Sequence, residues 1–375
     1  MESGGRFLIV RLSSFGDLLH ALPAVQVIRR IYPDSTVDWI VQTPFDRLAR
    51  WFTDVHRLWV LSTPVWRPHW MLRRALRHQK YEWAIDFQGL IKSAIWAWRS
   101  RARYRLGFHR ADLREPLSRW LYNRFPFAHF MEKQGLHVIE KNVMLLTGLG
   151  LEPDRIFREL DHIVLAGGRS RWFTVPDETR TGVRTWLHDR GLTPRKFWVV
   201  HVYAARPEKT WSTQTLEALV RYLRNTTPYA VVLLTGTHPA ERDRAARIVT
   251  TLGPSQLHLA PQWDWPALIE FLSHARAVIG PDTGILHLAD CLGTPVVMTM
   301  GWFAAERNGP FFTRTVSQVV ERPVTPEGWP ELDALLEAVT QVIERLETGV
   351  SRLNANHVQA AAYPVNHADR PSAPP

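Results

Sequence analysis

Short apolar runs that stop at a polar or glycine-containing turn, each followed by a stretch of helical spacing, recur along this chain. In the first half the runs are Phe7 to Val10, Val37 to Val41, Arg57 to Leu61 and Trp83 to Phe87. Between and after them, helical patterns run from about Asp17 to Tyr32, near Phe45 to Phe52, and from about Leu90. Strands that alternate with helices in this way predict βαβ units and a parallel sheet. From Leu151 to about Pro176 the pattern loosens. A second series then follows, with strands at Phe197 to Val202, Ala230 to Thr235, Gln256 to Leu259, Ala277 to Ile279 and Val296 to Met300. Glu331 to Glu344 keeps a clear 3.6-residue period behind Pro330, which predicts a terminal helix with proline at its start. The tail from about Val350, rich in Asn, Ala and Pro, has the composition of a disordered segment.

At 375 residues the chain exceeds one typical core, so two α/β domains with a cleft between them are expected. The boundaries read from the pattern are 1–165 and 166–330, then a helix over 331–349 with a place back against the first domain, then a tail over 350–375. A single cysteine, Cys291, rules out an internal disulfide framework. The N-terminal apolar run is too short for a signal peptide and no apolar stretch approaches about 18 residues, so a cytoplasmic chain is expected.

The formal net charge of +10 calls for an anionic partner. Its distribution narrows the choice, because arginines interleave with tryptophans between Trp66 and Arg124 while the second half is nearly balanced. An aromatic and basic surface suits the headgroup region of a membrane. It also suits RNA, but zinc-ligand spacing, RNP motifs and an Arg-rich tail are all missing, and no nucleic-acid partner is expected.

Parallel sheets carry their ligands beyond the carboxyl ends of the strands, which singles out the turns that follow each apolar run. Ile279-Gly280-Pro281-Asp282-Thr283-Gly284 leads into the helix that carries His287. With Asp282 or Thr283 as its cap, that helix would turn free N–H groups and its positive end toward a diphosphate. An ordinary capped strand-to-helix turn is the alternative. Lys209 follows the first strand of the second series and can reach a phosphate, unless it is a plain surface lysine. Glu241, behind Thr235-Gly236-Thr237-His238-Pro239, can accept from ribose hydroxyls, or that stretch only caps a helix. In the first series, Gly16 permits a tight turn that brings Asp17 to the crevice, where it suits a general base; a helix-capping role is the competing reading. The dinucleotide fingerprint Gly-x-Gly-x-x-Gly is absent. A lysine, a carboxylate and an Asp-Thr-Gly turn at three successive strand ends point together to a nucleoside-diphosphate site.

These residues give the chain a resemblance to the bacterial lipopolysaccharide heptosyltransferases of glycosyltransferase family 9. It rests on Ser13 to His20 with Leu22-Pro23-Ala24, Asp86 to Ala94, Arg114-Glu115-Pro116-Leu117 with Tyr122-Asn123-Arg124, and Asp282-Thr283-Gly284 with His287. The resemblance implies a GT-B fold, two Rossmann-like domains facing across a cleft, with the acceptor held by the first and ADP-heptose by the second. It implies an inverting, metal-independent transfer of L-glycero-D-manno-heptose to a Kdo residue of Kdo2-lipid A, by a monomer without a cofactor at the inner face of the inner membrane. Asp17 is the implied base. Lys209, Glu241, Asp282, Thr283, Gly284, His287 and Gly16 are the implied donor contacts, and Arg114, Lys141, Lys92 and Arg67 the implied acceptor contacts. Arg11, the Tyr203-Ala204-Ala205 run, Lys141, Pro64 and Pro68 depart from residues common among relatives, which carry lysine, threonines, arginine and basic residues at the respective places.

Overall fold

A computed structural model describes residues 5–62, 69–126, 136–166, 172–204, 209–301, 305–321 and 331–349. The chain divides into two compact units, the first running to Ala166 and the second from Gly167.

The first unit contains β1 (Arg6–Val10), α1 (Phe15–Ile31), β2 (Thr36–Gln42), α2 (Asp46–Ala49), β3 (Arg57–Leu61), α3 (Trp70–His78), β4 (Trp83–Asp86), α4 (Ile91–Arg99) and β5 (Tyr104–Leu106). After 3-10 segments that include Pro116–Leu121 come α5 (Val138–Met144) and α6 (Pro153–Ala166). Its five strands are all parallel, in the order β3-β2-β1-β4-β5. The apolar runs form the central strands because their side chains are covered on both faces, as a parallel sheet requires: Phe7, Leu8, Ile9 and Val10 are all buried. One face of the sheet packs Leu8, Val10 and Ala84 against Leu76 of α3, Ala94, Trp96 and Ala97 of α4, and Tyr122. α1 is apolar nearly all round, and its buried residues include Pro23 in mid-helix; a helix of that kind forms because it is enclosed. The tight turn after β4 is made by Gly89 at φ +68, where an added Cβ would also press on the Phe108 ring.

The second unit contains α7 (Asp177–His188), β6 (Phe197–His201), α8 (Thr213–Thr226), β7 (Ala230–Leu234), α9 (Pro239–Leu252), β8 (Leu257–Leu259), α10 (Trp265–His274), β9 (Ala277–Pro281) and α11 (Gly284–Cys291). It continues through β10 (Val296–Met300), α12 (Ala305–Asn308), β11 (Gln318–Glu321) and α13 (Leu332–Glu347). Its strands are also parallel, in the order β11-β10-β9-β6-β7-β8.

In both sheets the strand order reverses between strands that are not neighbours in sequence, at β1 beside β4 and at β6 beside β9. These are the switch points, where successive crossovers leave in opposite directions and open a crevice at the carboxyl ends.

The terminal helix packs within the second unit. Its apolar stripe, Leu335, Ala338, Val339, Val342 and Ile343, is buried in the core of the second unit with Trp198, Leu219, Val297 and Val320. Arg345 Nη1 also donates to the Ser317 carbonyl at 2.9 Å. The stripe is thus used where the helix closes the second sheet. Helix α13 starts at Leu332 behind Glu331; Pro330 and the tail from 350 lie outside the described residues. Leu335→Ala is expected to destabilise the second unit by about 3 kcal/mol, the scale for emptying a buried leucine site, as measured by denaturant unfolding of the full chain.

Candidate active site

The β6/β9 switch point gathers three of the chemistry-bearing residues. Lys209 Nζ donates to Asp282 Oδ2 at 2.8 Å and to the Asp282 carbonyl at 3.2 Å, and His287 Nε2 lies 3.0 Å from Asp282 Oδ1. Burial alone would raise the Asp282 pKa, but the hydrogen bonds and charges of His287 and Lys209 overcome it and hold the carboxyl at about 2. An ionised carboxylate only accepts, so His287 must carry its proton on Nε2. The lysine side chain is 13% exposed, which removes the surface-lysine reading.

Helix α11 has Thr283 as its N-cap residue, without a side-chain capping bond. Asp282 does not cap either, since both of its oxygens face Lys209 and His287. Thr283 Oγ1 is buried and makes no hydrogen bond among the described residues. The N–H groups of Thr283, Gly284 and Ile285 likewise meet no acceptor there. The helix therefore presents open donors beside an ammonium group, an arrangement that binds an anion.

At the end of β7, Glu241 stands in the first turn of α9. Its Oε2 is enclosed without a hydrogen-bond partner among the described residues, and burial raises its pKa against the opposing pull of His238, the Gly236 N–H and Arg244. Gly236 is needed here for close approach: a Cβ would lie 2.7 Å from Glu241 Oε2 and 2.9 Å from the Tyr203 ring. His201, at the end of β6, is buried and held neutral, its pKa lowered by burial to about 4.

In the first unit, the register that sets Val10 beside Asp86 also brings together the turns that follow β1 and β4. Arg11 Nη2 lies 2.6 Å from Asp17 Oδ1, and a second guanidinium nitrogen donates to the Phe87 carbonyl. Asp17 Oδ2 accepts from the Ser14 N–H at 3.0 Å and the Ser14 hydroxyl at 2.8 Å. Burial pushes the Asp17 carboxyl up, but Arg11 and Ser14 prevail and hold it below its ordinary value, so it is ionised at neutral pH. Asp17 therefore does perform the capping role weighed against its use as a base, while 38% of its side chain stays exposed. Gly16 lies inside the first turn of α1 and is not among the positive-φ glycines, so the tight turn expected of it is not there.

Over residues 69–327 the sequence matches the family described as glycosyltransferase family 9 (heptosyltransferase). The chain belongs to that family. It is 27% identical over 308 residues to lipopolysaccharide heptosyltransferase 1 of Escherichia coli K12, spanning 79% of this chain and 88% of that protein. It is 28% identical to lipopolysaccharide heptosyltransferase 1 of Pseudomonas aeruginosa PAO1, spanning 79% and 78%. Its fold is similar to that of the E. coli heptosyltransferase WaaC with ADP, at TM-score 0.69 and 25% identity over 91% of this chain and 99% of the other. The chain is a family 9 glycosyltransferase with the α/β, GT-B type of fold that the sequence implied.

Within this family 9 enzyme, the structure brings Lys209, Asp282, Thr283, Gly284 and His287 into one cluster, with Glu241 in the same unit at the next strand end. Lys92 and Arg114 are exposed in the first unit, and the segments that carry them are tied where the Ile91 N–H donates to Glu115 Oε2 at 2.6 Å. Lys141 is half-buried on α5. Arg67, Ala205, Pro64 and Pro68 lie outside the described residues.

Local sequence marks Asp86 as a support for its turn and gives Gln88 and Trp211 no role. Gln88 Oε1 accepts from the Leu12 N–H at 2.9 Å, and Asp86 accepts from the Gln88 N–H and the Tyr122 hydroxyl at 2.8 and 2.7 Å, fixing the turns around Asp17. Trp211 Nε1 donates to Thr299 Oγ1 at 3.1 Å and anchors the segment that carries Lys209. The motif Asp-Phe-Gln-Gly was noticed, but the partners it holds are distant in sequence.

Because the Asp282 pKa is depressed in the folded chain, its stabilising effect is complete above about pH 4 and is lost as pH falls toward 2. Asp282→Asn is therefore expected to lower stability by about 2 kcal/mol at pH 7, with the gap to wild type closing near pH 2. Paired denaturant titrations of the two chains at pH 7 and below pH 4 check this.

Proposed function

We propose that this enzyme transfers L-glycero-D-manno-heptose from ADP-heptose to a Kdo residue of Kdo2-lipid A, with inversion and with Asp17 as general base. The observation that carries this reading is the open end of α11 beside Lys209, which suits the diphosphate of a nucleotide sugar. The relatives named lipopolysaccharide heptosyltransferase 1 support heptose as the sugar and lipopolysaccharide as the class of acceptor.

In the proposed reaction a Kdo hydroxyl attacks the anomeric carbon of heptose from the face opposite the diphosphate. The new C–O bond forms as the bond to the β-phosphate oxygen breaks, its electron pair leaves with ADP, and the hydroxyl proton passes to Asp17. The Asp17 carboxylate is ionised before substrate arrives, as a proton acceptor must be. Lys209 and the N–H groups of Thr283 and Gly284 take up the charge that develops on the leaving ADP. The incoming diphosphate competes with Asp282 for the Lys209 ammonium, and Asp282 with His287 keeps that ammonium aimed. Glu241 Oε2, lacking a partner among the described residues, accepts from ribose hydroxyls. Lys92, Arg114, Lys141 and Arg67 meet the Kdo carboxylates and lipid A phosphates. Gly16 contributes through its backbone. The transfer needs no metal and no cofactor, and a monomer performs it at the cytoplasmic face of the inner membrane, where a lipid acceptor resides. The alternative within family 9 is a transferase that uses another nucleotide sugar or acts on a later core heptose.

The test is ADP release by purified enzyme from ADP-heptose, in a metal chelator, with and without delipidated Kdo2-lipid A. Acceptor-dependent release is expected; release from another nucleotide sugar in its place would transfer the reading to that donor. Asp17→Asn is expected to retain ADP-heptose binding and lose at least about 100-fold in turnover, and an active Asp17→Asn enzyme would remove the base assignment. Lys209→Ala is expected to weaken both ADP binding, by calorimetry, and transfer.

A further inference from the structure

Every large apolar side chain that stands exposed among the described residues belongs to the first unit, and five of the eight sit in one layer. They are Trp70 (65% exposed) and Met71 (67%) on α3, Trp98 (49%) on α4, and Leu117 (69%) and Trp120 (72%) in the 3-10 segment Pro116–Leu121. The inner sides of α3 and α4, through Leu76, Ala94, Trp96 and Ala97, pack on the sheet with Leu8 and Val10. These five residues are therefore the outward face of a layer whose inward face is already satisfied. A soluble surface scatters its apolar residues singly, and a concentration of this kind marks an interaction site.

The same layer is strongly basic. Between His69 and Pro126 the sequence has eleven arginines and two lysines against four carboxylates, and one of those, Asp86, is buried. Arg73, Arg74, Arg77, Arg99, Arg101, Arg103 and Arg119 form no ion pair among the described residues. Some lie over aromatic rings instead, Arg119 over Trp120 at 4.2 Å and Arg99 over Trp96 at 5.1 Å. Arg77 is close enough to Arg101 and Arg73 that, after desolvation, their charges further disfavour its protonated form. Cations gathered against one another with few carboxylates among them make a surface that attracts an anionic partner.

The geometry points to this layer, α3 with α4 and the segment Pro116–Leu121, as the face that docks on an anionic lipid bilayer. Trp70, Met71, Trp98, Leu117 and Trp120 enter the interfacial region, and the surrounding arginines meet lipid phosphates. RNA explains the charge and the tryptophans but gives no use for exposed Met71 and Leu117, whereas a bilayer uses both. This deepens the reading of a membrane-borne acceptor, and its test requires no turnover.

The experiment is co-sedimentation of the full chain with vesicles of phosphatidylethanolamine and phosphatidylglycerol, beside vesicles of phosphatidylcholine alone. Binding to the anionic vesicles, weakened by added salt, is expected. Two double variants separate the contributions: Trp70→Ser with Met71→Ser, and Arg73→Gln with Arg74→Gln. Each is expected to reduce partitioning by about tenfold or more, from about 1 kcal/mol per lost charge for the arginine pair, with thermal melting unchanged because all four side chains are exposed. Should one variant fail to fold, the other reads the same surface. Wild-type chain that stays in the supernatant, variants that bind as wild type does, or a homopolymeric RNA bound in preference to the vesicles would each overturn the proposal. Vesicle binding with no heptose transfer would sustain it while removing the proposed acceptor, so the two readings fail separately.

Discussion

Each sheet depends on a pair of parallel strands that are neighbours in space and strangers in sequence. β1 lies against β4, and β6 against β9, because the chain builds outward from a central strand in one direction and then crosses back to build in the other. The turns that leave such a pair diverge, so the helix ends behind them are not covered by the next crossover. That one constraint places Arg11 against the Phe87 carbonyl in the first unit and Lys209 against Asp282 in the second. Neither contact follows from local sequence; both follow from strand order.

Each switch point also sets a carboxylate against a cation, but the two carboxylates are prepared differently. Asp282 is closed in, 12% exposed, with a lysine on one oxygen and a histidine on the other. A group so held is a clamp, and its ionisation serves to orient Lys209. Asp17 has Arg11 and Ser14 for company, yet more than a third of its side chain remains open. Ionised and accessible, it is the more open carboxylate of the two. The arginine that keeps Asp17 ionised also lowers its basicity.

The central strands were legible because burial on both faces leaves uninterrupted apolar runs, and these appear in the structure within a residue or two at β1, β2, β6, β7 and β10. β5 and β11 were not, since each is a short edge strand with only one well-buried residue. The residue types of the candidate site were visible at the ends of those runs, but their partners were not. Asp282 looked like a cap and instead forms an ion pair with a lysine 73 positions away. Gly16 looked like a turn and is helical, because the turn is completed before it by residues 11–14. Buried Asp290 of α11 collects the N–H groups of Phe311, Phe312 and Thr313, a role that requires residues 21 to 23 positions downstream to be in place. Pairings across such separations are fixed by the completed sheet, and no local pattern encodes them.

The terminal helix shows that a periodic pattern reports burial without naming the neighbour. The 3.6-residue stripe of α13 reports that one face must be buried, and says nothing about which surface buries it. The second sheet settles this: Val297 and Val320, on β10 and β11, share a buried core with the apolar stripe of α13, which packs against those strands and α8. On the first unit the opposite holds. There α3 and α4 have already met the sheet with their inner residues, and the tryptophans and arginines left outside exceed what folding uses. An apolar stripe that closes a core and an apolar layer left over after a core is closed read alike in sequence. The structure separates them, assigning α13 to stability and leaving the outer layer of the first unit for a partner.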